Sequence, residues 1–66
     1  MRLSVKCVER NEYTGDDHEV SPERPFAFWR VVEHTGAGWF PWPGIYPERD
    51  TAERAMARAL ETGREP

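Results

Sequence analysis

The chain has 66 residues, with 12 acidic and 9 basic side chains and a net charge of −3 at pH 7. That length allows one domain, which buries only about 60% of the surface its unfolded chain exposes and is marginally stable. No segment is basic enough to mark a polyanion binder, the single Cys7 excludes an intrachain disulfide and fits a reducing cytoplasm, and no secretory signal or membrane span is visible.

The first predicted element is a strand. Leu3, Val5 and Cys7 alternate with Arg2, Ser4 and Lys6, the period of a half-buried strand. Val8 breaks the alternation, which marks a bulge or the strand end. Residues 11–25 are polar, acidic and carry Pro22 and Pro25, so they read as a long mobile loop tacked down by Tyr13 and Val20.

Residues 26–34 give the strongest strand signal, rich in aromatic and β-branched side chains. Ala27, Trp29 and Val31 are expected inside because Arg30, on the other face, prefers water. That other face, with Phe26, Phe28 and Val32, is still apolar enough to need partial cover by the loop or a second subunit. Thr35 to Gly38 form a turn, and Trp39-Phe40 add a short third strand that Pro41 stops.

Residues 39–47 concentrate Trp39, Phe40, Trp42, Ile45 and Tyr46 among Pro41, Pro43 and Pro47. The prolines exclude a helix and a central strand, and they push the residue before each toward extended geometry. A turn is expected at Pro43-Gly44. Trp39 adjoins the preceding strand and is assigned to the core, whereas Trp42, Tyr46, Ile45 and Phe40 are assigned to an outward, partner-binding patch.

Residues 50–62 form the helix. Asp50 with Glu53 fits a capping box, and Thr51 is the competing cap. Ala52, Ala55, Met56, Ala59 and Leu60 make one apolar stripe, with Leu60 its largest core contributor. Gly63 supplies the stop, and residues 64–66 are expected to fray. The predicted fold class is α+β, a small three-stranded antiparallel sheet with one C-terminal helix packed on one face, in the order β-β-β-α.

The chemistry-bearing residues are few. Asp16-Asp17-His18-Glu19 lacks any metal-ligand spacing and reads as a solvated acidic loop. Cys7 and His34 are the one pair to weigh as nucleophile and base, and each has a structural reading: a buried small hydrophobe and a polar strand end. No phosphate-cradling loop exists. The expectation is a non-enzyme with no cofactor and no metal. Arg54 and Arg58, one helical turn apart with Arg49 before them, offer an alternative single-stranded nucleic-acid face. Glu53 and Glu61 interleave with them and the net charge is negative, which argues against it. Trp, Tyr and Arg dominate protein interfaces, so a protein partner, with a homodimer included, is the favoured expectation. Arginine supplies 8 of the 9 basic side chains, a pattern of GC-rich coding that suits a bacterium or its phage.

Phe40, Pro41, Pro43 and Gly44, followed by Thr51, Glu53, Ala55, Ala59 and Leu60, resemble part of the partial RNase H-like domain of HicB-type antitoxins. In that family, strands lead into a Phe-Pro-x-x-Pro-Gly turn and then a Thr-x-Glu-Glu-Ala-type helix. Here the turn is one residue shorter, Trp42 stands where the family has an acidic residue, and the glycine before the threonine is missing. The likeness covers residues 40–60. It implies a small regulatory protein that binds a protein partner rather than a catalyst.

Overall fold

The computed structural model describes residues 2–63. It contains β1 (Leu3–Arg10), β2 (Asp17–Glu19), β3 (Phe28–Thr35), β4 (Gly38–Pro41) and α1 (Arg49–Thr62). The strands form one antiparallel sheet in the order β2-β1-β3-β4, with the C-terminal helix on one face. The α+β class and the C-terminal helix are as the sequence pattern predicts, but the sheet has four strands, not three. The extra strand lies inside the expected loop. Asp17, His18 and Glu19 pair with Arg10, Glu9 and Val8. Their side chains carry no apolar alternation, so hydrophobic periodicity could not reveal them. Backbone pairing and the charges of Arg10 and Lys6 opposite hold them instead.

The register from Leu3↔Glu33 to Val8↔Phe28 fixes the two faces. Leu3, Val5 and Cys7 share one with Trp29, Val31 and Glu33; Ser4, Lys6 and Val8 share the other with Phe28, Arg30 and Val32. The helix packs on the first. Ala59 meets Val31 and Trp42 in the core, with Leu3, Tyr46, Ala55 and Met56 around them. Ala52 and Ala59 are wholly buried, because only a side chain this small lets a helix backbone approach a sheet so closely.

Leu60, expected as the stripe's largest core contributor, is 52% exposed. At 3.6 residues per turn the eighth position after Ala52 has rotated roughly 80° from it, which carries Leu60 off the sheet. The start of the helix also differs from expectation. Glu48 is the N-cap, in extended conformation and with no side-chain capping bond, and Asp50 already lies within the first turn. At the other end Gly63 takes the expected left-handed conformation (φ 72°), its N–H donating to the Ala59 carbonyl at 2.7 Å.

The face away from the helix buries Val8 and Val32 completely. Two cross-sheet contacts explain this. Asp17 on β2 accepts from Arg30 Nη1 on β3 at 2.5 Å, so the pair reaches across β1 and Val8. Lys6 Nζ on β1 lies 5.6 Å from the centre of the Trp39 ring on β4, so that contact reaches across β3 and Val32. Lys6 also bonds Glu19 at 3.1 Å, and Arg10 bonds Asp17 at 3.3 Å. The Asp17–Arg30 pair is largely shielded from solvent, the Glu19 and Arg10 ends of the other two pairs stay near water, and the aliphatic stems of Lys6 and Arg30 shield two valines. Of the two covers expected for this face, the 11–25 segment or a second subunit, β2 of that segment provides part.

The same segment is tied down beyond β2. The Val20 N–H donates to the Cys7 carbonyl at 3.0 Å. Arg24 makes a two-pronged contact with Glu9 at 3.3 and 3.1 Å, and this bonding holds the Glu9 carboxyl below its usual range. Tyr13, expected as an anchor, is fully exposed at the hairpin tip instead. There Asn11 Oδ1 accepts from the Tyr13 and Thr14 N–H groups and shapes the turn without using the ring.

Candidate functional site

The proline-rich stretch continues β4 along the edge of β3 with an outward bulge. The Trp42 N–H donates to the Val31 carbonyl at 2.8 Å, and Trp29 and Tyr46 exchange two backbone bonds at 2.7 and 3.0 Å. From the Val32↔Pro41 pair to the Trp29↔Tyr46 bridge, β3 advances three residues (32 to 29) while this strand advances five (41 to 46). Two surplus residues must therefore bow outward. Pro43 lacks the donor a regular ladder needs, and Gly44 adopts φ 117°, so the bulge falls there.

The bulge sorts the candidate partner-binding residues. Phe40 and Ile45 are 54% and 59% exposed, Tyr46 is half-buried, and Trp42 is 6% exposed. Trp42 is therefore a core residue and not the outward ring the sequence reading expected. Its backbone bond to Val31 keeps it in the pleat, two positions after Phe40 and on the helix side. The alanine-lined helix leaves a space that a large ring fills, and the indole N–H donates to Glu33 Oε1 at 3.1 Å. Trp39, expected in the core, is half-buried on the opposite face beside Lys6. Of the two tryptophans, Trp42 rather than Trp39 belongs to the core under the helix.

Beside the bulge, Tyr46, Thr51, Arg54, Ala55 and Arg58 line a groove of about 310 Å³. The Arg54 and Arg58 guanidinium groups make no ion pair or hydrogen bond among the described residues. Arg49 does not join them. Its Nε bonds Glu53 Oε1 at 2.8 Å, and its guanidinium lies 5.6 Å from the centre of the Trp29 ring. The expected trio of arginines is thus divided into one occupied cation and two available ones. A second cleft, of about 340 Å³, lies on the other face between the hairpin residues Arg10, Gly15, Asp16 and Asp17 and the β3–β4 residues Arg30, Trp39, Phe40 and Pro41.

The weighed nucleophile and base are separated. Cys7 is buried on the helix face, and burial, followed by the charge of Glu23, pushes its thiol pKa up and away from thiolate formation. His34 points to the opposite face, where its Nε2 lies 2.7 Å from Ser4 Oγ. This hydroxyl–imidazole pair was invisible in the sequence, since strand register alone brings positions 30 apart together. It has no third group on Nδ1 among the described residues to orient the ring, and neither cleft includes it. No cluster of three or more potential metal ligands occurs among the described residues. Likewise, no helix among them is long and apolar enough to cross a membrane.

No family model, curated protein or solved structure matches this chain.

Proposed function

We propose that the chain is a small non-enzymatic regulatory factor, antitoxin-like or phage-type, that binds and modulates another protein. The contact surface is the strip formed by Phe40 and Ile45 with Pro41, Pro43 and Pro47, and with the accessible part of Tyr46. One observation carries this reading. Two large apolar side chains stand more than half exposed on a segment that backbone bonds pin at Trp42 and Tyr46 and that prolines stiffen. Such a strip loses little ordering entropy on binding, and exposed apolar surface of this kind marks interaction sites. Trp42 serves as the buried platform beneath it. The likeness of residues 40–60 to HicB-type antitoxins supports the same class, and the free, buried Cys7 suits a reducing cytoplasm.

The test compares the wild-type chain, Phe40→Asp/Ile45→Asp and the remote variant Tyr13→Asp as baits in host lysate. Circular dichroism confirms that each is folded. A partner retained by the wild type and by Tyr13→Asp, but weakened about 30-fold or more by the double variant, is the expected result for a site with aromatic and aliphatic anchors. Retention by the double variant excludes the strip. Sedimentation of the pure chain shows whether the occupant is a second copy, the homodimer case.

The alternative reading is a single-stranded nucleic-acid binder that uses the helix face. Arg54 and Arg58, unpaired among the described residues, favour it, while Arg49 is already engaged. It requires binding that weakens steeply between low and moderate salt, a dependence that an apolar strip lacks.

A further inference from the structure

We propose that the groove between Tyr46 and the helix receives a short acidic segment of the protein partner, with carboxylates seated on Arg54 and Arg58. This names the partner's chemistry and rests on reading the chain as a protein binder. It shares Tyr46 with the Phe40–Ile45 strip, but its charged contacts, Arg54 and Arg58, lie outside that strip and are tested separately from it.

Four observations converge on this groove. Its floor is apolar, the Tyr46 ring and Ala55, and its rim carries Arg54, Arg58 and the Thr51 hydroxyl. Neither guanidinium is neutralised among the described residues, in a chain whose net charge is −3. The Tyr46 and Thr51 hydroxyls also make no hydrogen bond among the described residues and lie open to a ligand. Tyr46 is held by its backbone bridge to Trp29 and packs its ring end against Gly44, where an added Cβ would come within 2.9 Å of the hydroxyl oxygen. The receiving surface is thus formed before any ligand arrives.

The spacing suits a peptide. Helix neighbours four apart stand about 5–6 Å from each other at Cβ. Alternate side chains of an extended peptide repeat every 6.4–6.8 Å or so on one side. Two carboxylates at positions i and i+2 therefore face Arg54 and Arg58 together, and guanidinium binds carboxylate in a directional two-pronged geometry. The surroundings disfavour a long polyanion. Asp50 and Glu61 share the outer helix surface with Arg54, and a strand of phosphates continuing past the groove meets their charge.

The experiment is an amide NMR titration of the full chain with three probes. They are an eight-residue blocked peptide alternating Leu and Glu, its Leu/Gln counterpart and an eight-nucleotide oligothymidylate. The expected result is a set of shifts centred on Tyr46, Thr51, Arg54, Ala55 and Arg58 with the Leu/Glu peptide. Its affinity should drop about tenfold or more with the Leu/Gln peptide or with Arg54→Gln/Arg58→Gln, as loss of two charge-assisted contacts requires. Both arginines are exposed, so that variant keeps its fold, which its unchanged spectrum elsewhere verifies. Phe40→Asp/Ile45→Asp should still bind the peptide, which separates failure of the strip from failure of the groove. Equal affinity for the two peptides, or no shifts at these residues, overturns the proposal. Tighter binding of the oligothymidylate at the same residues overturns it in favour of nucleic acid.

Discussion

The indole N–H of Trp42 donates to Glu33 Oε1 at 3.1 Å, joining the edge segment to the middle of β3 beneath the exposed strip. The ring completes the core that the small helix side chains leave open, and the carboxylate satisfies its polar end. Trp42→Ala should therefore cost about 3–5 kcal/mol, the range for removing a buried large aromatic. That approaches the whole stability of a domain this small. Trp42→Phe keeps an aromatic ring but replaces the indole with a smaller phenyl and loses the donor, so it should cost about 1 kcal/mol beyond the volume change. Urea unfolding of the two variants checks the order, and an unfolding midpoint for Trp42→Ala near wild type would place the ring outside the core.

Ala59 and Leu60 are neighbours in sequence with opposite burial. Ala59→Leu forces volume between helix and sheet and should destabilise by about 1–3 kcal/mol. Leu60→Ala should change stability by about 1 kcal/mol or less, because half of its surface is already in water. Thermal melts of both variants distinguish this packing from one in which Leu60 leads the stripe.

Asp17 and the Arg30 head are both largely shielded from solvent, and Arg30 also donates to the Trp42 carbonyl at 2.7 Å. Asp17→Leu alone leaves a shielded cation short of its partner and should cost roughly 2–3 kcal/mol. Arg30→Met added to it should recover most of that loss, since two apolar groups replace the pair over Val8. Additive losses in the double-mutant cycle would show that the two side chains are not coupled.

Gly44 combines φ 117° with a direction in which a new Cβ meets the Tyr46 hydroxyl at 2.9 Å and ring carbon Cζ at 3.2 Å. Gly44→Ala should cost about 1–3 kcal/mol through backbone strain and should displace the Tyr46 ring. A melting curve and the Tyr46 ring resonances report the two effects.

Cys7 should resist alkylation in the native state and react quickly in denaturant. Its thiol pKa is raised by folding above the ordinary value of 9.0, so the protonated form is favoured in the folded chain. The corresponding stabilisation is present below that value, erodes as pH rises through it, and is lost above the folded pKa. Urea midpoints should decline more between about pH 8 and pH 10 for the wild type than for Cys7→Ala, which lacks the thiol.

Much of the framework was written locally. The alternation of Leu3, Val5 and Cys7, the apolar run from Phe28 to Val32 and the stripe of Ala52, Ala55, Met56 and Ala59 each carry their own period. Gly63 marks the helix end by conformational freedom that other residues lack. These signals were enough for an antiparallel sheet with one C-terminal helix, because hydrophobic periodicity reports which face an element buries.

What lay beyond the sequence were the matters settled by partners distant in the chain. β2 exists because Asp17, His18 and Glu19 meet β1, and none of them advertises a strand. Trp39 and Trp42 sit three positions apart, in similar aromatic and proline surroundings, and local pattern cannot say which turns inward. The bond from Trp42 to Val31 and the vacancy above the alanines decide it. Arg49, Arg54 and Arg58 look equivalent along the helix until Glu53 and Trp29 engage the first and leave the other two beside Tyr46. Composition and periodicity determined the class of fold and the supply of aromatic and cationic side chains. Tertiary packing decided which of them remain available, because availability depends on what the folded chain has already placed against each one.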